Sequence, residues 1–273
     1  MPFGLSLPRA PFVPVVRLTG AIGAGGRFRQ GFDFEAVVGA IEKAFALKQA
    51  RAVAFIVNSP GGSPVQSSLI YKRIRALKTE KGKRVFVFVE DVAASGGYYI
   101  ACAGDEIFVD ESSIVGSIGV ISAGFGFQDA IAKLGVERRV HTAGENKMML
   151  DPFQAEREED VTRLLAIQAE VHETFKRVVR GARGNRLKDE DPDLFTGAIW
   201  AGQKAVDVGL ADGVGDIRSV LRGRYGEKLK LKVISTKPTG WLARRLGMAG
   251  REGLAGETLS ALEARAHWAR FGL

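Results

Sequence analysis

Apolar residues recur along this chain in two patterns. Ala52-Val53-Ala54-Phe55-Ile56-Val57 and Val85-Phe86-Val87-Phe88-Val89 are unbroken apolar runs. Short runs rich in β-branched and aromatic residues predict strands buried on both faces. The stretch 13–18 predicts another such strand, ahead of a glycine-rich turn at 20–26. Between these runs the spacing is helical. Phe34, Val37, Val38, Ile41 and Phe45 predict a helix over 34–47, and Leu69, Ile70, Ile74 and Leu77 one over 65–78. Further on, a helix is predicted over 95–103, a third strand at 107–109, a helix over 127–134 and a strand at 137–142. Charged and apolar residues then alternate in helical register, predicting a long amphipathic helix over 154–180. Apolar and basic residues alternate over 228–234, predicting a strand. Short helices are expected over 241–246 and 254–268.

Strand, helix and strand at this spacing form right-handed βαβ units, so the fold class is α/β with a parallel sheet covered by helices. Sites in such sheets collect beyond the C-terminal ends of the strands. Two glycine-rich turns fall at such ends: Asn58-Ser59-Pro60-Gly61-Gly62 and Ala93-Ala94-Ser95-Gly96-Gly97.

The 273 residues are 46% hydrophobic, enough for one sizeable α/β domain. The expected division is a catalytic domain over 1–216 and a basic extension over 217–273. Between residues 218 and 251 ten Lys or Arg face Glu227 alone, within a net charge of +8. Such a segment suits an anionic membrane face, and reads as well as a solvated basic face that aids solubility; it lacks the interleaved aromatics and motifs of a nucleic-acid binder. No apolar run is long enough to span a bilayer, and the first fourteen residues do not resemble a signal peptide. The expected location is cytoplasmic, or peripheral to the inner face of the membrane. A lone Cys102, in an apolar run, excludes an intrachain disulfide and reads as a buried side chain.

A serine at a helix N-terminus sits among outward-pointing N–H groups, and the glycine after it leaves its own N–H open to an oxyanion. Taken alone, Ser95 reads as a plain helix cap, and Pro60-Gly61-Gly62 as a plain turn. On adjacent strand ends the two loops become informative, Ser95 as nucleophile and Gly96, Gly61 and Gly62 as oxyanion donors. His141, His172 and His267 read as surface or packing residues, since no histidine is placed to serve Ser95. No metal-binding motif is present.

Phe55-Ile56-Val57-Asn58-Ser59-Pro60-Gly61-Gly62, Ala93-Ala94-Ser95-Gly96-Gly97-Tyr98-Tyr99 and Val115-Gly116-Ser117-Ile118-Gly119-Val120 together resemble the S49 peptidases, the signal peptide peptidase A family. That resemblance implies the ClpP/crotonase fold and a Ser–Lys dyad needing no cofactor. Its lysine lies in a Gly-x-x-Lys segment some way past the serine. Gly144-Glu145-Asn146-Lys147 fits, so Lys147 is carried over as general base, with Ser117 orienting its amine. A lysine amine serves as base only when neutral, and burial favours the neutral form. The apolar Met148, Met149 and Leu150 beside it suit this. The resemblance further implies homo-oligomers in which neighbouring subunits contribute serine and lysine to one site. Peptides or proteins are the implied substrates, remnant signal peptides and hydrophobic segments above all. Two rivals share the fold: a crotonase-type acyl-CoA enzyme and a non-catalytic scaffold.

Overall fold

The computed structural model describes residues 10–23, 31–188, 191–236 and 268–272. The apolar runs become the inner strands of one sheet. In chain order the elements begin with β1 (Phe12–Thr19), β2 (Ala21–Ile22), β3 (Gly31–Phe32) and α1 (Phe34–Ala46). Then come β4 (Ala52–Ser59), α2 (Pro64–Lys81), β5 (Arg84–Ala94), α3 (Gly96–Ala101), β6 (Glu106–Val109) and β7 (Ile114–Gly116). The remainder is α4 (Gln128–Lys133), α5 (Glu158–Arg183), β8 (Ile199–Ala201), α6 (Gly202–Asp207), β9 (Gly213–Val214), α7 (Ile217–Tyr225) and β10 (Lys230–Ile234).

The helices start where the sequence supplies caps. Asp33 accepts from the Ala36 N–H at the head of α1, and Ser63 caps α2, whose first residue is Pro64. Gly82 ends α2 in the left-handed region at φ 58°, where a side chain would strain the backbone. The sheet order is β10-β1-β4-β5-β6-β9, all parallel; β7 also pairs with β5, and β8 runs antiparallel to β7.

Alternation along β4 and β5 feeds two cores. Val53, Phe55, Val57, Val85 and Val87 face α1, α2, α3 and α5. Ala54, Ile56, Phe86 and Phe88 face the other way, against Leu221 of α7. Burying one such branched or aromatic side chain contributes about 1.5–3 kcal/mol. Residues 217–234 thus pack on this sheet, α7 on its second face and β10 beside β1. Arg183 of α5 is buried at 2% exposure. It donates to the Gly209 carbonyl (2.7 Å) and to Asp212 (2.8 Å), tying α5 to the turn before β9.

β5 forks the sheet and so places the site. Its first half pairs with β6, its last residues with β7 on one side and with Ser59 of β4 on the other. The two glycine turns therefore leave the sheet side by side.

The expected strand at 137–142 does not form. Those residues are exposed apart from half-buried Val140 and pair with no strand among the described residues, within a largely exposed segment over 121–157 that includes α4. An extended segment without a partner leaves its backbone groups to water and gains no ladder. The short helix expected over 241–246, and that over 254–268 save its last residue, lie outside the described residues, as does His267.

Candidate active site

Ser95 joins β5 to α3 in a single residue. Its backbone stands at φ 52° and ψ −121°, a region that L-residues rarely adopt and that costs roughly 1–3 kcal/mol. Surrounding bonds hold it there. The Ser95 N–H donates to the Gly116 carbonyl (2.8 Å), and its carbonyl accepts from Tyr99 (2.9 Å). Its hydroxyl makes no capping bond, so the plain cap reading of this serine does not describe it.

The turn after β4 is built around the same point. Asn58 accepts from the Val92 N–H (3.2 Å) and donates to Asp91 (2.6 Å), bracing the two strand ends. A Cβ on Gly61 would stand 2.8 Å from Ser95 Cβ, and one on Gly97 2.6 Å from the Ser59 carbonyl. Only glycine permits this approach. The Gly61 N–H is already engaged, donating to Ser59 Oγ (3.2 Å). Among the described residues the Gly62 and Gly96 N–H groups have no acceptor. A Cβ on Gly96 would stand 3.4 Å from the Gly62 nitrogen, so these two open donors are close neighbours.

Gly116, the last residue of β7, and Ser117 after it brace the serine turn from behind. Ser117 also has a positive φ, 51°, and its N–H donates to the Ala198 carbonyl (2.7 Å). His172 donates from Nε2 to the Ile118 carbonyl (2.9 Å), fixing this loop to α5; it is a packing residue. His141 is exposed. Ser117 is nearly buried, and it does not line the cavity in front of Ser95.

That cavity has a volume of about 310 Å³. Ser95, Gly96 and Gly62 meet it at one end. Its walls are Val65 and Leu69 of α2, Tyr99 of α3, and Val171 and Phe175 of α5. The helical spacing over 154–180 had signalled the α5 positions as apolar, not as cavity wall. Ser67 and Lys72 of α2, which also line it, carried no recognisable signal in the sequence.

Lys147 sits elsewhere. It lies in an exposed turn and is not among the residues lining the cavity. The segment that bears it exposes several large apolar side chains, Phe125 at 80% and Leu134 at 77% among them. Leu150, three residues on, has a positive φ of 57°, and its N–H donates to Asp160 at the head of α5. Among the described residues no cluster of three or more His, Cys, Asp or Glu could hold a metal ion, and no helix is long and apolar enough to cross a membrane.

Comparison with known proteins identifies the fold and the family. Among solved structures, the 1510-N membrane-bound stomatin-specific protease in complex with a substrate peptide superposes with a TM-score of 0.52. The match covers 87% of this chain and 98% of that one at 15% identity, which shows the fold. The fold is therefore the ClpP/crotonase-like α/β fold expected. A protein of Brucella abortus named Na(+)/H(+) antiporter NhaA is 54% identical over 273 residues. The match takes in 96% of this chain but spans only 37% of that longer protein. The putative protease slr0021 of Synechocystis is 33% identical over 238 residues, 85% of this chain and 81% of its own. The model of Peptidase family S49 matches residues 77–228, from the end of α2 to just before β10. That match takes in more than half the chain, including the strained serine and the exposed lysine. With the Synechocystis relative beside it, this chain belongs to peptidase family S49.

Proposed function

We propose that this chain is a serine endopeptidase with Ser95 as nucleophile, the Gly62 and Gly96 N–H groups as oxyanion donors and Lys147 as general base. One observation carries the reading: a serine in a strained backbone conformation, its hydroxyl making no capping bond, stands beside two N–H donors that have no acceptor among the described residues, at the mouth of an apolar cavity. Ser95 Oγ attacks the peptide carbonyl carbon, and Lys147 Nζ takes the hydroxyl proton. The oxyanion rests on the two N–H groups. Lys147 returns the proton to the leaving amine, and water, attacking the acyl carbon, frees Ser95 and the new carboxyl group.

Lys147 reaches Ser95 from a neighbouring copy. Its exposed position within one chain and the apolar side chains of the segment that bears it support this, since projecting apolar surface marks association. Ser117 belongs to the same reading as the hydroxyl that orients the amine, and no cofactor takes part. The cavity's apolar walls suit extended hydrophobic segments such as remnant signal peptides. The basic residues after 217 suit an anionic membrane face, which vesicle co-sedimentation with and without residues after 237 tests.

Labelling with a serine-directed covalent inhibitor, followed by mapping of the modified residue, tests the nucleophile. Modification of Ser95 is expected; labelling elsewhere, with Ser95→Ala still active, rejects it. Mixing Ser95→Ala with Lys147→Ala protein tests the shared site. Partial recovery of cleavage is expected, and none is the outcome of a dyad complete within one chain.

A further inference from the structure

The cavity beside Ser95 is apolar along its walls and carries a charge at one place. Lys72 is the single charged side chain among the described residues that line it. On α2, Val65, Ser68, Leu69 and Lys72 recur at helical spacing and so share one face. Ser67 marks the end nearest the reacting atoms, since a Cβ on Gly96 would stand 2.4 Å from its Oγ. Lys72 lies five residues further, about 7.5 Å along the helix axis. A side chain entering the cavity from a peptide bond at Ser95 therefore passes the apolar walls before meeting Lys72.

The ammonium is available. Arg73, next to it, is committed to Glu42 (2.7 Å), whereas Lys72 has no ion-pair partner among the described residues. Lys72 is exposed where it borders the cavity, and its ammonium attracts an anionic group and repels a cationic one there. Selection by such repulsion is as effective as selection by attraction.

We infer that Lys72 sets the side-chain preference of this cavity, admitting residues with an apolar stem and a carboxylate end and rejecting lysine and arginine. The inference rests on the peptidase reading for its relation to cleavage. Lys72 is a specificity residue, outside the catalytic groups.

The test uses the full chain and a set of peptides identical except for Leu, Glu, Gln or Lys at the residue preceding the cleaved bond. Cleavage is measured for wild type, Lys72→Met and Lys72→Glu, and binding of the same peptides to Ser95→Ala by fluorescence anisotropy. Wild type is expected to favour Glu over both Gln and Lys by about tenfold, the scale of one charge-assisted hydrogen bond. Lys72→Met should lose that preference, its Glu-to-Gln ratio falling to about one, and Lys72→Glu should now accept the Lys peptide. Cleavage with one and the same profile in all three proteins overturns the inference and leaves the peptidase reading intact. Absence of cleavage, with Ser95→Ala still binding the Glu peptide best, overturns the peptidase reading and leaves Lys72 as selector. Binding that ignores the varied residue removes Lys72 from its role whatever the cleavage result.

Discussion

Gly96→Ala isolates one oxyanion donor. Gly96 has no positive φ, so an added methyl acts through contact and not through backbone preference. Its Cβ would stand 2.4 Å from Ser67 Oγ, 3.2 Å from Ile22 Cδ1 and 3.4 Å from the Gly62 nitrogen. Ser67 cannot yield freely, being buried in α2 with its hydroxyl donating to the Ser63 carbonyl (2.8 Å). The head of α3 must shift, and the Gly96 N–H with it. Overpacking of this size costs about 1–3 kcal/mol of stability. Losing one oxyanion donor lowers kcat by about 10²–10³. Ser67→Ala removes the clashing oxygen at a cost of about 1 kcal/mol for its hydrogen bond. The double variant should therefore be more active than Gly96→Ala alone by about tenfold, and its stability loss less than additive. The assay is kcat on a chromogenic peptide, with denaturant midpoints on the same preparations and inhibitor labelling to count competent sites. Gly96→Ala holding kcat within about threefold of wild type would refute the displacement of the N–H argued from these contacts. A Ser67→Ala background that changes nothing would refute the contact argument.

Three further outcomes follow from the packing. Burial pushes the Asp212 carboxyl upward, but the hydrogen bond and charge of Arg183 win and hold it below its ordinary 3.8. A depressed carboxyl contributes stability above its ordinary value and loses it as pH falls through the folded one. Melting temperature should therefore drop steeply below about pH 4. Asp212→Asn should flatten that drop and, by stranding buried Arg183, cost about 3–5 kcal/mol at neutral pH. Burial pushes the Cys102 thiol up to about 12, so a thiol reagent should react with it at neutral pH only after denaturation. Stoichiometric labelling of the native protein would contradict the burial. Phe125→Asp together with Leu134→Asp replaces two of the most exposed apolar side chains of the segment that bears Lys147. Light scattering should show a smaller assembly and peptide cleavage should fall by at least about tenfold; an unchanged mass with full activity argues against association through this segment.

The sheet's inner strands were legible because their apolar runs are long enough to exclude other assignments. The expected helices over 34–47 and 65–78 appear with caps that the chain itself supplies at Asp33, Ser63 and Gly82. The serine turn was legible as a motif, though not its conformation. β7, β8 and β9 were not legible, since two or three residues carry no period. The segment over 137–142 shows the opposite failure: its residues suit a strand, but among the described residues none is beside it to pair with.

Local chemistry alone determined where strands end in glycine, which serine follows the second strand and that the interior is apolar enough for a parallel sheet. Those features depend on neighbours within one turn or one run. The fold decided what depends on partners distant in sequence. The Gly61 N–H is spent on Ser59 while that of Gly62 stays open, α7 covers a sheet face, and Lys72 borders the cavity while Lys147 stands outside it. Hydrogen-bond acceptors, packing partners and cavity walls are assigned by register and crossover, and no window of sequence contains them.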